Sequence, residues 1–371
     1  MKTYNNLFDQ LISRANISKA IDRASQRKKY RKDVRTVLDN KDKYILKIQS
    51  ILRTRQYKIP QHKAELIYDG SSKKSRLIIK PRFLYEQIIQ HALVQVLKPI
   101  FMKGMYPLSC GSIPKRGCLY GKRHMERLIR KYRNSGELRY VLKLDVKQYY
   151  QSVCPTTLRN KLFRVVTDPD VQYVIDLVLQ SNIATYKNEQ VCMGLPIGFY
   201  TSQWFANFYL QELDHYIKEQ LGIKIYLRYV DDLVLFAKNK KELYNKYRQV
   251  ALFLDTLKLT IKPNWRIFNF DYQGKDKVLG FPVDFMGYKF YRNRTTIRKG
   301  ILLKATRKAR ALQDSEIISW YEASQMLSYY GWFKRTNTYR YKVENIDSRI
   351  NINRLRSILS NKKKKENIRC I

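Results

Sequence analysis

The sequence predicts an α+β protein. Three patterns carry that prediction: apolar residues at helical spacing among many cations toward both ends, strand-like runs between them, and acids set at the ends of those runs.

From Tyr4 to Ile59 the apolar positions repeat as on helices with basic outer faces, as in Tyr44, Ile45, Ile48, Ile51 and Leu52. The period then changes. Leu66, Ile67 and Tyr68, followed by Asp69-Gly70-Ser71-Ser72 and then Leu77, Ile78 and Ile79, predict a hairpin over Glu65–Lys80. Phe83–Phe101 returns to helix, with Ile88, Ile89, Ala92, Leu93, Val96 and Leu97 on one face. Tyr140–Val146 predicts a strand ending in Asp145, and Gln203–Leu221 a helix after the loop Gly194–Ser202. Ile225–Tyr229 and Leu233–Ala237 predict two strands flanking Val230-Asp231-Asp232, a hairpin with acids at its tip. Beyond the amphipathic stretch Leu243–Leu257, the segments Ile261–Phe270 and Asp284–Tyr291 read as strands, and Leu302–Arg356 as basic helix. Lys362-Lys363-Lys364-Lys365 reads as a disordered basic tail.

The 73 Lys and Arg against 31 Asp and Glu leave a formal charge of +42, a surface that repels itself unless polyanions neutralise it. Membranes are anionic too, but no apolar run approaches the roughly 20 residues of a membrane span, and the 29 tyrosines offer stacking faces for bases. Nucleic acid is therefore the expected partner, and no membrane. The start Met1-Lys2-Thr3-Tyr4 has no apolar core of a secretory leader, so a cytoplasmic protein is expected. Cys110, Cys118, Cys154, Cys192 and Cys370 lack the spacing of a disulfide framework or a zinc site.

An isolated Asp-Asp pair is usually a solvated turn. Here it lies inside Ile225–Phe236, where unpaired carboxylates are costly unless cations meet them. Only Arg228 is close in sequence, so a purely stabilising role has no obvious partner for both acids. Asp145 at one strand end and Asp231 and Asp232 on a neighbouring tip can supply oxygen ligands for two Mg²⁺ ions about 3.5–4 Å apart, the arrangement that stabilises the attacking and leaving oxygens of an in-line displacement at phosphorus. Adjacent strands, about 5 Å apart, allow such a meeting.

Tyr229-Val230-Asp231-Asp232 resembles the signature tetrapeptide of reverse transcriptases, and Leu144–Val153 resembles their first catalytic motif. The resemblance runs from about Arg76 to Asn337 and implies a right-hand polymerase: N-terminal helices and fingers over 1–139, a palm of antiparallel sheet over 140–295 with a fingers-like insertion within 155–200, a basic helical thumb over 296–360, and the tail 361–371. It implies RNA-templated addition of deoxynucleotides to a primer, with Asp145 and Asp231 holding both metals, Asp232 supporting them, and the Val146 carbonyl completing an all-oxygen shell. Tyr150, five positions after Asp145, then packs under the incoming sugar. Lys74 and Arg76 resemble the cations that clamp the triphosphate, a task suited to the forked guanidinium. Phe285, Met286 and Gly287 resemble the primer-grip hairpin, and Lys262 stands where a residue assisting the leaving pyrophosphate is placed.

The loop Leu195-Pro196-Ile197-Gly198-Phe199-Tyr200-Thr201-Ser202-Gln203 departs from most relatives, which carry Gln before the Gly and Pro after the Ser. Ile197, Gly198 and Gln203 in this pattern resemble the enzymes of diversity-generating retroelements, as do Trp204–Asp214 and Tyr330–Asn337. That branch implies a template-repeat RNA, misincorporation opposite its adenines, and a small basic accessory protein. Gly198 would let the backbone approach the nucleotide. The Asn-Ala-x-x-His and Val-Thr-Gly motifs of retron enzymes are not found, and no nuclease domain is expected after the basic helices. Two alternatives stay open: a phage-defence or group II intron-like reverse transcriptase, and a non-catalytic RNA-binding scaffold.

Overall fold

The computed structural model describes residues 2–69, 74–273 and 278–368, with side chains for 2–68, 75–272 and 279–361. The chain divides into two compact units: one comprises Met1–Gly117, Lys143–Leu233 and Tyr244–Trp265, the other Cys118–Leu142, Val234–Leu243 and Arg266–Ile371.

In the first unit, helix Arg14–Ser25 buries Ile17, Ala20, Ile21 and Ala24 on one face, and helix Lys41–Arg53 buries Ile45, Ile48 and Leu52. Helix Ile88–Gly104 is apolar around more of its circumference. Besides the predicted face it buries Val94, Ile100 and Phe101, so helices pack against it from several directions. The Asn16 amide nitrogen donates to the Leu11 and Ala92 carbonyls, which ties the N-terminal helices to it.

The predicted hairpin forms from β1 (His62–Asp69) and β2 (Lys74–Ile79), antiparallel with Ala64 opposite Ile79. Its tip, Gly70–Lys73, lies outside the described residues. After β3 (Ser109–Cys110) and β4 (Tyr140–Asp145), two strands that the sequence pattern does not separate, β5 (Ile183–Tyr186) and β6 (Glu189–Cys192), extend the hairpin into a sheet of order β2-β1-β5-β6. The turn between them is Lys187-Asn188, both left-handed at φ 49° and 68°, which lacks the glycine that usually advertises a two-residue hairpin. Ala64, Ile79, Ala184, Met193 and Phe199 form the core beneath this sheet.

β7 (Ile225–Tyr229) and β8 (Asp232–Ala237) form the acid-tipped hairpin in the sheet order β3-β7-β8-β4. The division between units passes through β4 and β8, but their acid-bearing ends belong to the first unit. The helix expected over Gln203–Leu221 begins earlier, at Tyr200, runs to Tyr209, and after a break at Leu210 continues through Gln211–His215 and the π-helical turn Tyr216–Gln220. Starting at Tyr200 lets its backbone N–H donate to the Gln90 side chain at 2.9 Å.

The second unit contains helix Cys118–Lys131, β9 (Arg266–Asn269), β10 (Tyr272–Gln273), β11 (Val278–Leu279), and the antiparallel strands β12 (Val283–Phe285), β13 (Tyr288–Phe290) and β14 (Thr295–Ile297). Helices Lys299–Gln313, Trp320–Phe333 and Ile352–Ile368 enclose a core of Ala305, Ala309, Leu312, Ala323, Met326, Phe333 and Leu355. Ser319 and Glu322 close a capping box at the start of the second of these. The lysines Lys362–Lys365, expected as a disordered tail, continue the last helix. Lysine is a good helix former, and Leu355, Ile358 and Leu359 anchor the preceding turns.

Among the described residues no helix is long and apolar enough to cross a membrane. Cys110, Cys118, Cys154 and Cys192 are free thiols, and Cys370 lies outside the described residues.

Candidate active site

The acidic hairpin turn is built around a valine in an unfavourable conformation. Val230 has φ +57°, a left-handed geometry that costs a β-branched residue on the order of 1–3 kcal/mol. Two hydrogen bonds hold it: its N–H donates to the Cys110 carbonyl at 3.1 Å, and its carbonyl accepts from Arg228 Nη1 at 2.8 Å. Cys110 is in place because β3 runs parallel to β7, with Cys110 opposite Tyr229.

Beyond this turn the chain brings Asp231 to the end of β4. Val146 N–H donates to the Asp231 carbonyl at 3.2 Å, and Lys262 N–H donates to the Asp145 carbonyl at 2.8 Å. Burial first, then the neighbouring Asp145 carboxyl, by its charge and as a hydrogen-bonding group, push the Asp231 carboxyl up to about 7. Asp232 points to Lys143, whose Nζ is 3.5 Å from its carboxylate.

The structure therefore sets Asp145 beside Asp231 and turns Asp232 toward Lys143. Arg228 does not serve the tip acids. Its side chain turns to Asp214 on helix Gln211–His215, bonded at 2.7 and 2.6 Å with both residues fully buried. Burial alone would weaken its charge, yet Asp214 holds the guanidinium pKa above its ordinary value. Arginine at the second-last position of a strand points away from the strand's final residue by simple alternation. Lys262 meets Asp145, with Nζ 2.6 Å from its Oδ1, as Lys143 meets Asp232.

Among the described residues no group of three His, Cys, Asp or Glu side chains is set to hold a metal ion. The donors nonetheless fit one. Two half-buried carboxyls in contact repel each other when both are ionised, and a hard divalent cation with a preference for oxygen relieves that repulsion. Lys262 now meets that demand in part.

Two cavities flank Tyr150 and share Arg76 and Ile197. One, about 500 Å³, reaches Asp231, Lys262, Gln148 and Gln151. The other, about 420 Å³, is lined by Lys28, His91, Gly198, Tyr200 and Gln203. Burial, then the charge of Asp231, raises the Tyr150 phenol above its ordinary pKa, so the ring meets the cavities neutral. Arg76 on β2 thus faces the same space as Asp231, Tyr150 and Ile197. Of Lys74 only the backbone is described.

Gly198 lies against β2 of the same chain. A Cβ there would meet the Ile79 carbonyl at 2.1 Å, and its φ is +118°. The missing side chain is excluded by β2 of the same chain, which crosses the loop where Ile79 N–H donates to the Ile197 carbonyl at 3.0 Å. Gly194, not singled out from sequence, is also tightly enclosed, packed under the carbonyls of Tyr150, Gln151 and Val153. Phe285, Met286 and Gly287 belong to the second unit. Met286 and Gly287 are left-handed at φ 53° and 85°, forming the turn between β12 and β13, and Gly287 lies against Trp332.

A family model described as reverse transcriptase (RNA-dependent DNA polymerase) matches residues 59–283, which is more than half of the 371 residues. No curated protein matches the sequence significantly. Among solved structures, apo telomerase from Candida tropicalis aligns with TM-score 0.50 and 14% identity over 72% of this chain and 53% of that one. Telomerase from Candida tropicalis in complex with a TWJ fragment of telomeric RNA aligns at 0.49 and 13% over 83% and 54%. Telomerase from Candida albicans in complex with such a fragment aligns at 0.46 and 15% over 76% and 54%. The chain spans about half the length of these structures, and at such identities the likeness concerns the α+β fold alone.

Proposed function

Because this chain belongs to the reverse transcriptase (RNA-dependent DNA polymerase) family, we propose that it copies an RNA template into DNA at Asp145, Asp231 and Asp232, in a diversity-generating retroelement. The primer 3′ oxygen attacks the α-phosphorus of a deoxynucleoside triphosphate, forming one P–O bond as the bond to the leaving pyrophosphate breaks. Asp145 and Asp231 would hold two Mg²⁺ ions with the Val146 carbonyl, and Asp232 would support them. When bound, the ions neutralise charge on the attacking and leaving oxygens.

Several of the remaining tasks fall to residues on the same cavities. Arg76, with Lys74, holds the triphosphate; Tyr150 closes the floor under the sugar; Ile197, Gly198 and Gln203 form the wall beside the nascent base pair. In this reading 1–139 serve as fingers, 140–295 as palm and 296–360 as thumb, with Phe285, Met286 and Gly287 gripping the primer. The observation that supports it best is the coupling of Asp145 to Asp231, with Asp231 on the wall of a space that also receives Arg76 and Tyr150.

The retroelement assignment is supported by the loop. An apolar Ile197 stands where most relatives carry an amide, so no side-chain hydrogen bond checks the base pair from that side, and errors opposite template adenines follow. A small basic accessory protein would deliver or hold the template-repeat RNA.

The test is primer extension on an RNA template by the wild-type chain and by Asp231→Asn. Extension should vanish in the variant, while RNA binding, carried by 73 cations, should persist. Undiminished extension by Asp231→Asn would remove the metal assignment, and absence of extension by the wild type across RNA templates would favour a binding scaffold.

A further inference from the structure

Arg228 has no solvent-exposed side-chain surface, and its guanidinium joins separate segments of the first unit. Nε and Nη2 donate to the two Asp214 oxygens at 2.7 and 2.6 Å, while Nη1 donates to the Val230 carbonyl at 2.8 Å and to Asn207 Oδ1 at 3.3 Å. Asp214 is itself fixed by the Tyr226 hydroxyl at 2.7 Å. Asn207 Nδ2 donates onward to the Gly111 carbonyl at 3.2 Å, and Gly111 lies so close to Val230 that a Cβ there would come within 2.8 Å of Val230 Cγ2. Helix, strand and turn therefore meet at one side chain.

We infer that Arg228 is a positioning residue for the acidic turn: by holding the Val230 carbonyl from a buried ion pair, it keeps Val230 left-handed and so fixes the direction in which Asp231 presents its carboxylate to a divalent ion. The inference rests on the proposed metal-holding role of Asp231. A fully buried guanidinium–carboxylate pair is a poor device for stability, because the cost of desolvating both charges offsets their attraction and apolar residues of similar size often serve as well. An apolar residue cannot, however, donate to a carbonyl. Val230 needs that donor, since glycine or asparagine is the ordinary occupant of a left-handed turn position and valine resists it. Two hydrogen bonds, one on each side of Val230, are what the turn has to oppose that resistance.

The test compares Mn²⁺ binding, followed by titration of the free ion, in the full chain and in the variants Arg228→Lys, Arg228→Met/Asp214→Leu, and the latter with Val230→Gly. Thermal melts and extension kinetics are run on the same samples. The apolar pair should melt cooperatively, bind Mn²⁺ about tenfold more weakly as supporting residues of metal sites commonly do, and lose kcat with little change in KM for the nucleotide. Adding Val230→Gly should restore most of the Mn²⁺ affinity, because glycine adopts the left-handed turn without being held. A folded apolar pair with wild-type Mn²⁺ affinity overturns the inference, and so does a loss that Val230→Gly fails to rescue. Should that pair not melt cooperatively, Arg228→Lys, which keeps the charge and loses the fork, decides by the same readouts. Asp231→Asn in parallel separates the two levels: if it binds Mn²⁺ as the wild type does, Asp231 is no ligand and both readings fall, whereas weakened binding there beside unchanged binding in the Arg228 variants removes only the positioning role.

Discussion

Lys262 Nζ lies 2.6 Å from Asp145 Oδ1, with the two side chains 26% and 32% exposed, so a protein cation occupies the flank of the acidic cluster. A divalent ion seeking Asp145 must compete with it. The backbone of Lys262 is also bonded to Asp145, so substituting the side chain leaves the main-chain link intact.

Lys262→Met should therefore be less stable than the wild type by no more than about 1 kcal/mol without divalent ions, as for a partly exposed pair. The rise in melting temperature on adding Mg²⁺ should be larger in the variant than in the wild type, because binding to the folded state no longer displaces an ammonium group. An equal or smaller rise would show that Lys262 does not compete at this position.

His91 stacks on Tyr200 with ring centroids 3.9 Å apart, inside the cavity that also holds Lys28. Burial, then the charges of Lys28 and Arg23, push the imidazole down to about 4. The folded pKa is below the unfolded value near 6.5, so the unfolded chain takes up the proton first. The stabilising effect of the neutral ring is complete above about pH 6.5 and is lost as the pH falls toward 4, amounting to about 2 kcal/mol at pH 5. Urea unfolding at pH 7 and pH 5 should show this difference in the wild type and a smaller one in His91→Gln. Equal pH dependence in the two proteins would place the acid sensitivity elsewhere.

Ile197→Gln restores the amide that most relatives carry in this loop. Ile197 is half-buried and faces both cavities, so the longer polar side chain has space to reach a base pair. Sequencing of cDNA should show fewer substitutions opposite template adenines in the variant, with little change at other bases. The same error spectrum in both proteins would remove Ile197 from the account of fidelity.

The acid-tipped hairpin and the strand ending in Asp145 were legible because they are local: an apolar run of strand length followed by an acid shows its own ends. The helical face of Ile88–Leu97 was legible for the same reason. What stayed hidden was tertiary. Nothing in the segment around Arg228 announces Asp214, fourteen residues earlier, as its partner. β5 and β6 are four residues each with a Lys-Asn turn, paired with each other, and they join the sheet of β1 by pairing His62 with Ala184 and Lys63 with Thr185 from a distant segment. The sequence identified Gly198 as a position where a side chain is excluded, but the excluding atom is the Ile79 carbonyl, more than a hundred residues away.

That last point separates two glycines under the same substitution. At Gly198 an added Cβ would sit 2.1 Å from the Ile79 carbonyl, and φ +118° lies outside what an L side chain adopts readily, so strain and collision add. Relief requires moving either β2 or the loop, and the loop carries Ile197. Gly331 lies inside helix Trp320–Phe333 with nothing within 4 Å of its Cβ position. Alanine there loses no contact and removes the entropy cost of a helical glycine. Gly198→Ala should thus destabilise the protein by about 2 kcal/mol or more, while Gly331→Ala should stabilise it by up to about 1 kcal/mol. Urea denaturation of both variants checks the pair, since opposite signs are required. A mild effect at Gly198 would mean that the loop yields easily, and the wall it forms beside Tyr150 could not then be rigid enough to position a base pair.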